Sequence, residues 1–377
     1  MTRRVGTLAC VALVCATVPS LFAQQKGTAP APKKNPLLKL AQPWPEDEVL
    51  LAARTEAEKR KLFQVADPLE FTLVSDFSAL NKERNPESTK KFPGTLKVAG
   101  LDKDLPVQLG SRGHLRLNTR TCEFVPIRVD FPKEGLDGTP FEGQTNLKLG
   151  THCQNDKEFD NFVLKEYLAY RLSNLVTPRS FRARLAKATY VDAKSQKTIS
   201  THNALFLEHD NDVARRLGGR DVSLPRIEFK DLDPDALTTM MLLNYMIGNT
   251  DYSIYALHNV KIVQDKKRTL VPVPYDNDMS GLVKPPYAIP DPRLRIRSVT
   301  ERLYRGPCRT VEEFEASAQL FRAKKTDMFS MIDGQKDLGN SHKSEMKDFL
   351  ESFFKAIESP EAIKKNFVNG CKPLPTM

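Results

Sequence analysis

The spacing of hydrophobic residues changes along the chain, from alternation in the first half to helical periodicity in the second. Residues 69–74 and 94–98 are short apolar runs with β-branched content, and alternation continues through residues 107–131. Such patterns are typical of strands with one buried face. A charged helix is expected ahead of them, at residues 47–64. The pattern therefore predicts a mostly β region followed, from about residue 231, by helices.

One predicted helix, residues 158–175, places an acidic side chain inside its apolar sector. Glu166 falls on the same face as four large hydrophobic residues, given the helical repeat. These residues are Phe159, Phe162, Val163 and Tyr170. Burying an unpaired carboxylate is costly, so a cation from the β region is expected beside it. Lys148, in the strand-like residues 146–149, is the first candidate and Arg128 the second; alternatively, Glu166 reaches water at the rim of the face.

A second predicted helix, residues 235–247, is apolar on nearly all sides, which indicates a central buried helix. It leads directly into Gly248, a residue suited to ending a helix, and then into Asp251. A carboxylate fixed at the end of a rigid buried helix is held as a general base or a metal ligand must be held. The alternative is an aspartate that only forms a turn.

Further oxygen ligands surround a predicted hairpin. Residues 260–263 and 270–273 are apolar runs separated by a polar turn at residues 265–268. Antiparallel pairing brings the outer ends of the two strands together. Three side chains are thereby expected to meet close to Asp251: Asn259, Asp276 and Asp278. Oxygen donors of this kind suit a hard cation bound to a nucleotide.

The amino-terminal segment predicts export. Residues 1–23 combine two early arginines, an apolar run and a small residue at the end, which is the layout of a cleavable signal peptide; a retained membrane anchor is the alternative. No other stretch of the sequence is apolar enough to span a bilayer. Residues 24–45 are rich in Pro, Lys and Ala and predict a flexible linker. The mature protein is therefore expected in the periplasm or outside the cell.

The formal net charge of +10 comes from basic residues spread along the chain without aromatic interleaving. This distribution gives no strong nucleic-acid signal and fits an acidic or phosphorylated partner equally well. A proline-rich segment after Met279 is expected either to receive an acidic peptide or to form a solvated surface loop. Its basic residues are Lys284, Arg293, Arg295 and Arg297.

Four cysteines lie beyond the predicted signal peptide: Cys122, Cys153, Cys308 and Cys371. Four cysteines in an exported chain suggest two disulfides, for which three pairings are possible. Pairing Cys122 with Cys153 and Cys308 with Cys371 keeps each loop within its own region. A zinc site is disfavoured because no two of these cysteines are spaced as close ligands and the six histidines are scattered.

Several short motifs resemble, in their order, those of the CotH spore-coat kinase family and, more distantly, the HipA kinases. Gly248-Asn249-Thr250-Asp251 is similar to the catalytic-loop Asp motif of both families, and His258-Asn259 to the asparagine that follows it. Residues 274–278, Pro-Tyr-Asp-Asn-Asp, resemble the proline–aromatic–Asp–x–Asp motif of CotH proteins. Upstream, Ser111-Arg112-Gly113-His114 with Arg116 resembles that family's Arg-Gly element, and residues 205–210 resemble its linker between lobes. The similarity covers about residues 105–355.

The resemblance implies an α+β fold with two kinase-like lobes. A mostly β amino-terminal lobe with one key helix would occupy residues 46–210. A mostly helical carboxy-terminal lobe, with the catalytic loop and the metal-binding hairpin, would occupy residues 211–377.

The resemblance also implies a role for each candidate residue. Asp251 would orient the acceptor hydroxyl. Lys148, tied to Glu166, would contact the phosphates of ATP, with Arg128 as the alternative cation, and Glu208 would line the adenine cleft. Mg²⁺ would be held by Asn259, Asp276 and Asp278.

The implied activity is that of an exported, CotH-like atypical kinase, which transfers the γ-phosphoryl group of ATP to a protein Ser/Thr hydroxyl with Mg²⁺. Its partner would be a protein substrate or a coat or envelope protein. Two alternatives stay open on the same residues. One is a non-catalytic secreted binding or coat protein, a pseudokinase; the other is a metal-dependent phosphoesterase.

Overall fold

A computed structural model describes residues 1–2, 40–224, 226–369 and 371. The predicted signal peptide, apart from its first two residues, lies outside the described residues, as does the predicted linker up to residue 39. All the elements named below belong to one unit. Helices and strands are both abundant, so the predicted α+β class is confirmed.

Seven strands form a closed barrel. They are β1 (Leu69–Ser75), β2 (Phe92–Val98), β3 (Leu105–Ser111), β4 (Ile127–Asp130), β5 (Asn146–Gly150), β6 (Ala183–Asp192) and β7 (Thr198–Leu207). Their order is β1-β2-β3-β4-β5-β7-β6, and the parallel pairing of β1 with β6 closes the barrel. Alternate residues such as Leu73, Leu109 and Phe206 fill the interior. The alternation in the sequence predicted the early strands but neither β6 nor β7.

Helices pack against the barrel and form most of the regular secondary structure beyond it. They are α1 (Asp47–Glu58), α2 (Phe77–Lys82), α3 (Glu158–Val176), α4 (Asp210–Arg216), α5 (Pro234–Ile247), α6 (Val311–Arg322), α7 (Lys325–Asp333), α8 (Asn340–Ala356) and α9 (Pro360–Ile363). Helix α3 packs against β6 and β7. Helix α5 is buried on most sides, as predicted; Asp233 caps its start, and Gly248 ends it with a left-handed φ of 66°.

The predicted hairpin is present. Strands β9 (Val260–Gln264) and β10 (Leu270–Pro274) pair antiparallel, with Val260 opposite Pro274. A short strand, β8 (Arg220–Val222), pairs with the other edge of β9 to complete a three-stranded sheet. This register places the residues that precede β9 beside those that follow β10.

The packed part of the chain begins earlier than predicted. The predicted linker includes residues 40–45, yet three of these residues contact the small sheet. The guanidinium of Arg220 donates to the carbonyl oxygens of Leu40 at 3.0 Å and Gln42 at 2.9 Å. It also lies 4.3 Å from the centre of the Trp44 ring. Among the described residues, the packed region therefore starts at residue 40.

Two disulfides tie the chain, in the pairing expected from the sequence. Cys122 is bonded to Cys153, and Cys308 is bonded to Cys371. Among the described residues, no helix combines the length and apolar character needed to cross a bilayer.

Candidate active site

Asp251 follows helix α5 and is held from both sides of its loop. Its backbone N–H donates to the side-chain oxygen of Asn249 at 2.9 Å. The amide nitrogen of Asn259 donates to the Asp251 carbonyl oxygen at 2.7 Å and to its Oδ2 at 3.2 Å. Nε2 of His258 lies 3.1 Å from Oδ1, and this hydrogen bond raises the pKa of His258. Both carboxylate oxygens of Asp251 are thus oriented, while its side chain stays 43% exposed.

The two ends of the hairpin meet, as antiparallel pairing requires. The N–H of Tyr275 donates to the carbonyl oxygen of Asn259 at 3.0 Å. The N–H of Asp276 donates to the hydroxyl of Tyr170, on α3, at 2.9 Å. Asn259 and Asp276 both have left-handed backbones, with φ of 53° and 62°. Asn and Asp adopt this conformation more readily than other non-glycine residues, which favours them at these positions.

Two buried carboxylates lie beside Asp276. Asp278 accepts a hydrogen bond from the Tyr287 hydroxyl at 3.2 Å, and Nη1 of Arg116 lies 3.9 Å from its Oδ2. Burial and the charge of Asp276 raise the pKa of Asp278 to about 6. Glu166, on α3, is also buried, and burial together with the charges of Asp278 and Asp276 raises its pKa well above the usual value. Both shifts favour the protonated carboxyl, because burial and the mutual repulsion of the acids outweigh the opposing effect of Arg116.

A basic turn faces these acids. It joins β3 to β4 and contains Arg112, Gly113 and Arg116. A guanidinium nitrogen of Arg116 donates to the carbonyl oxygen of Thr151, just beyond β5, which directs the side chain towards the acids. The turn lines a cleft of ≈ 540 Å³, which we call the acidic cleft. The cleft is also lined by Asp251, Asn259, Asp276 and Asp278.

A second cavity adjoins the acidic cleft. Its volume is ≈ 710 Å³. Both spaces are lined by Asp251, Leu257, His258 and Met279. The carboxylate of Asp251 therefore stands at the boundary between them.

Lys148 does not pair with Glu166, contrary to the prediction. Its ammonium forms an ion pair with Asp210 at 2.8 Å. The reason is the pairing of β5 with β7, in which Lys148 lies opposite Leu207, three residues before Asp210. The cation that most offsets the charge of Glu166 is instead Arg116, from the basic turn.

Two other predicted nucleotide contacts are engaged elsewhere. Arg128 forms an ion pair with Asp130 at 2.6 Å, and its side chain is 49% exposed. Glu208 is fully buried and accepts hydrogen bonds from Arg182 at 2.9 Å and Arg216 at 3.0 Å. A carboxylate shared by two guanidinium groups has its acceptor positions filled. Glu208 therefore ties β7 to α4, and its side chain does not line the acidic cleft.

Three side chains that contact this group of acids have no role in the interpretation of the sequence. Arg116 belongs to the Arg-Gly element, so the resemblance points to it without giving it a function. Tyr170 lies on the predicted apolar face of its helix, but the pattern does not indicate the use of its hydroxyl. Tyr287 lies in the proline-rich segment, and no local pattern distinguishes it from a surface tyrosine.

The oxygen donors of the acidic cleft fit a hard cation. Asn259 uses its amide nitrogen on Asp251, which leaves its amide oxygen for a ligand, and Asp276 and Asp278 add carboxylates. Within the described part of the chain, no three His, Cys, Asp or Glu side chains converge as a ready-made metal site. Mg²⁺ usually binds through one or two carboxylates and completes its shell with phosphate oxygens and water. The donor set thus suits a cation that takes part of its shell from other ligands, and not a metal cage supplied by the protein alone.

Comparison with known proteins finds a distant kinase among the solved structures. No protein-family model matches the sequence, and no curated protein matches it. Among solved structures, the chain is similar to the Helicobacter pylori proinflammatory kinase CtkA, with 12% sequence identity and a TM-score of 0.35. The similarity covers 64% of this chain and 91% of that chain. At this level of similarity the chain is assigned to no family.

Proposed function

We propose that this protein is a kinase-like phosphotransferase that moves the γ-phosphoryl group of ATP to a Ser or Thr hydroxyl of a protein. The observation that carries the proposal is the acidic cleft. In one space it places Asp251, two further acids and a turn with two arginines. Phosphoryl transfer depends on positioning and on charge stabilisation, with little covalent work for the protein. These groups are suited to both tasks.

Asp251 would act on the acceptor. As the hydroxyl oxygen forms its bond to the γ-phosphorus, the bond from that phosphorus to the bridging oxygen breaks and ADP leaves. The hydroxyl proton passes to the Asp251 carboxylate. His258 and Asn259 hold this carboxylate by hydrogen bonds of 3.1 Å and 3.2 Å, which keep it directed at the boundary of the two cavities.

The phosphates would meet charges of both signs. Asn259, Asp276 and Asp278 would hold Mg²⁺, which would offset the negative charge of the phosphates. Arg112 and Arg116 replace Lys148 and Arg128 as the side chains that contact the phosphates directly. Planar guanidinium groups suit this role because they bind phosphate oxygens in pairs.

The order of the elements supports a two-lobed, kinase-like interpretation of the fold. The basic turn lies between two strands, Lys148 is on the next strand, and Glu166 is on the helix that follows. Protein kinases place a phosphate loop, a lysine and a helix glutamate in this order, ahead of a catalytic Asp, an Asn and a metal-binding Asp. Here the last three would be Asp251, Asn259 and Asp276. The closed barrel and its additional strands β1 and β2 set this chain apart from that plan.

One observation favours the non-catalytic alternative. Active protein kinases need the lysine–glutamate pair in place, whereas Lys148 here pairs with Asp210. A pseudokinase that binds a protein partner on this fold would not require that pair. Export, to the periplasm or beyond the cell, is part of the proposal in either case because two disulfides persist best in an oxidising compartment.

The test uses the purified chain with ATP. We expect ATP with Mg²⁺ to raise the thermal midpoint, and chelation to remove the shift. With radiolabelled ATP, the chain should label itself or an added protein. Asp276→Asn should abolish the magnesium-dependent shift, while Asp251→Asn should keep the shift and lose transfer by about 10²-fold or more. Asp104→Asn, at an exposed surface ion pair with Lys97, is the matched control and should behave as the unaltered protein.

The outcomes separate the three candidate functions. A magnesium-dependent shift without transfer would favour the pseudokinase. Chelator-sensitive hydrolysis of bis(p-nitrophenyl) phosphate, without transfer from ATP, would favour the phosphoesterase. If ATP and Mg²⁺ neither shift the midpoint nor transfer label, the proposed role of the acidic cleft is wrong.

A further inference from the structure

The second cavity offers a different chemistry from the acidic cleft. It lies between the loop that follows Asp251 and the proline-rich segment, and it is lined by Tyr255, Leu257, Ile289 and Leu294 among others. Asp251 and His258 form part of its wall as well as part of the wall of the acidic cleft. A group that enters the second cavity can therefore reach the carboxylate without occupying the acidic cleft.

The charged side chains of this cavity already have partners. Arg305 donates to the carbonyl oxygens of Thr250 and Tyr252, the latter at 2.8 Å. Arg293 forms an ion pair with Asp291 through a guanidinium that is almost fully exposed. These arginines are thus committed to the protein itself, which argues against the acidic peptide expected from the basic composition of the proline-rich segment. What the cavity offers to a ligand is mainly apolar surface.

Apolar side chains also mark the mouth of the cavity. Ile289 is 72% exposed and Tyr255 is 37% exposed, although both are large hydrophobic residues. An occupant that reaches from Asp251 to Ile289 must carry a hydroxyl at one end and apolar groups further along. A short alcohol that fits beside Asp251 would leave these two side chains uncovered. An extended chain with side chains along its length covers both places.

We propose that the second cavity binds the acceptor as an extended polypeptide segment in which an aliphatic or aromatic side chain lies next to the Ser or Thr hydroxyl. The inference rests on the proposed function, since it takes Asp251 as the acceptor-orienting group. Tyr255 and Ile289 are then specificity-determining residues. They select for apolar neighbours of the hydroxyl and contribute nothing to the recognition of phosphate.

Two measurements test the proposal. The first is transfer from ATP with Mg²⁺ to a positional library of Ser peptides, in which each flanking position is varied in turn. The second is fluorescence anisotropy of a labelled peptide with Leu beside the Ser, compared with the same peptide carrying Asp or Lys beside the Ser. Anisotropy needs no turnover, so it reports on the cavity even if transfer fails.

We expect the Leu-containing peptide to bind best and apolar flanking residues to dominate the library. Tyr255→Asp and Ile289→Asp should each weaken binding of this peptide by about tenfold, the usual cost of losing a buried apolar anchor. Both side chains are partly or largely exposed, so the variants should fold. Ile199→Asp, at an isoleucine on β7 that is 42% exposed, close to the value of Tyr255, is the matched control and should bind normally.

Several results would overturn the proposal. Equal binding of the Leu, Asp and Lys peptides would show that the cavity does not select apolar neighbours. If Ile199→Asp weakens peptide binding as much as Tyr255→Asp and Ile289→Asp do, the effect is a non-specific result of the added charge. Phosphorylation of glycerol that is insensitive to Tyr255→Asp and Ile289→Asp would identify a small alcohol as the acceptor. Peptide binding without any transfer or any ATP-induced shift would instead indicate that the proposed catalytic function fails while the docking site stands.

Discussion

The ammonium of Lys148 lies 2.8 Å from Oδ1 of Asp210, which makes this aspartate the partner of a lysine expected to meet Glu166. The other carboxylate oxygen of Asp210 lies 2.8 Å from Lys261, on β9. Burial opposes ionisation of Asp210, but the two ammonium groups outweigh it and lower its pKa. One carboxylate thereby joins the barrel, helix α4 and the hairpin that carries the acids.

Replacing this carboxylate should destabilise the protein. In Asp210→Asn, Lys148 and Lys261 lose their shared counter-charge while remaining largely buried. Each lysine is about one quarter exposed, so solvent screens the pair and the effect is smaller than for a fully buried pair. We expect the free energy of unfolding to fall by about 2 kcal/mol at pH 7. Urea unfolding measures the difference.

The pH dependence of that loss follows from the direction of the shift. Because the pKa of Asp210 is lower in the folded protein than in the unfolded chain, its stabilisation is present above the unfolded pKa of aspartate. It disappears as the pH falls through the folded pKa. The difference in free energy of unfolding between the unaltered protein and Asp210→Asn should therefore become smaller below about pH 4. If this difference stays constant down to pH 2, the assignment is wrong. The assignment is also wrong if Asp104→Asn lowers the free energy of unfolding as much as Asp210→Asn does.

Local features of the fold were predictable from the sequence because a few neighbouring residues determine them. The hairpin turn and the buried helix that ends at Gly248 depend on spacings of only a few residues. Asn259 and Asp276 follow from the hairpin alone. This part of the candidate site needs no knowledge of the rest of the fold.

Contacts between distant segments were not predictable in the same way. The barrel closes through β1 and β6, and Leu69 lies opposite Ala186 more than a hundred positions later. Lys148 meets Asp210 only because β5 pairs with β7. Glu208 is saturated by Arg182 and Arg216 only once β6 and α4 are in place. No periodicity in the sequence records these pairings, so the choice among nearby cations could not be made from it.

A buried histidine should make the protein sensitive to mild acid. His152 stacks on Phe124, with ring centres 4.4 Å apart, and on His202 at 4.0 Å. Burial, with the nearby charges of His202 and Arg116, lowers its pKa to about 3. Its folded pKa is thus below its unfolded pKa of about 6.5. Stability should therefore be lost as the pH falls from about 6.5 towards 3.

The variant His152→Phe tests this sensitivity because it keeps the stack and removes the titration. Between pH 6.5 and 5 the free energy of unfolding of the unaltered protein should fall, relative to the variant, by about 2 kcal/mol. Urea unfolding at these two pH values measures the change. If the two proteins lose stability in parallel, the imidazole of His152 does not carry the effect.

Arg116 and Arg128 form a matched pair for testing which cation meets the nucleotide. Arg116 lies against the acids, whereas Arg128 pairs with Asp130 at the surface. We expect Arg116→Gln to weaken binding of ATP with Mg²⁺ by about tenfold or more, the loss of a charge-assisted contact. Arg128→Gln should bind as the unaltered protein does. Calorimetric titration measures both affinities. If Arg128→Gln weakens binding more than Arg116→Gln does, Arg128 is the cation that meets the nucleotide.

The two disulfides provide the last test, because one of them packs against a residue that holds Asp278. The Cys122–Cys153 disulfide forms a small apolar cluster with Phe159, against which Tyr287 packs. Tyr287 donates to Asp278, and Thr151, two residues before Cys153, holds Arg116. Removing the disulfide should loosen both groups that contact Asp278.

The double variant Cys122→Ala/Cys153→Ala should therefore bind ATP with Mg²⁺ more weakly, by about tenfold. It should also exchange amide hydrogens faster across residues 115–124, a readout that does not depend on nucleotide. The control is Cys308→Ala/Cys371→Ala, which opens the longer loop, with a separation of 63 residues against 31. Loop entropy makes the control at least as destabilising, so a selective loss of binding in the first variant separates positioning from general stability. Equal loss in both would show that the Cys122–Cys153 cluster acts on the fold as a whole and does not position Arg116 and Tyr287.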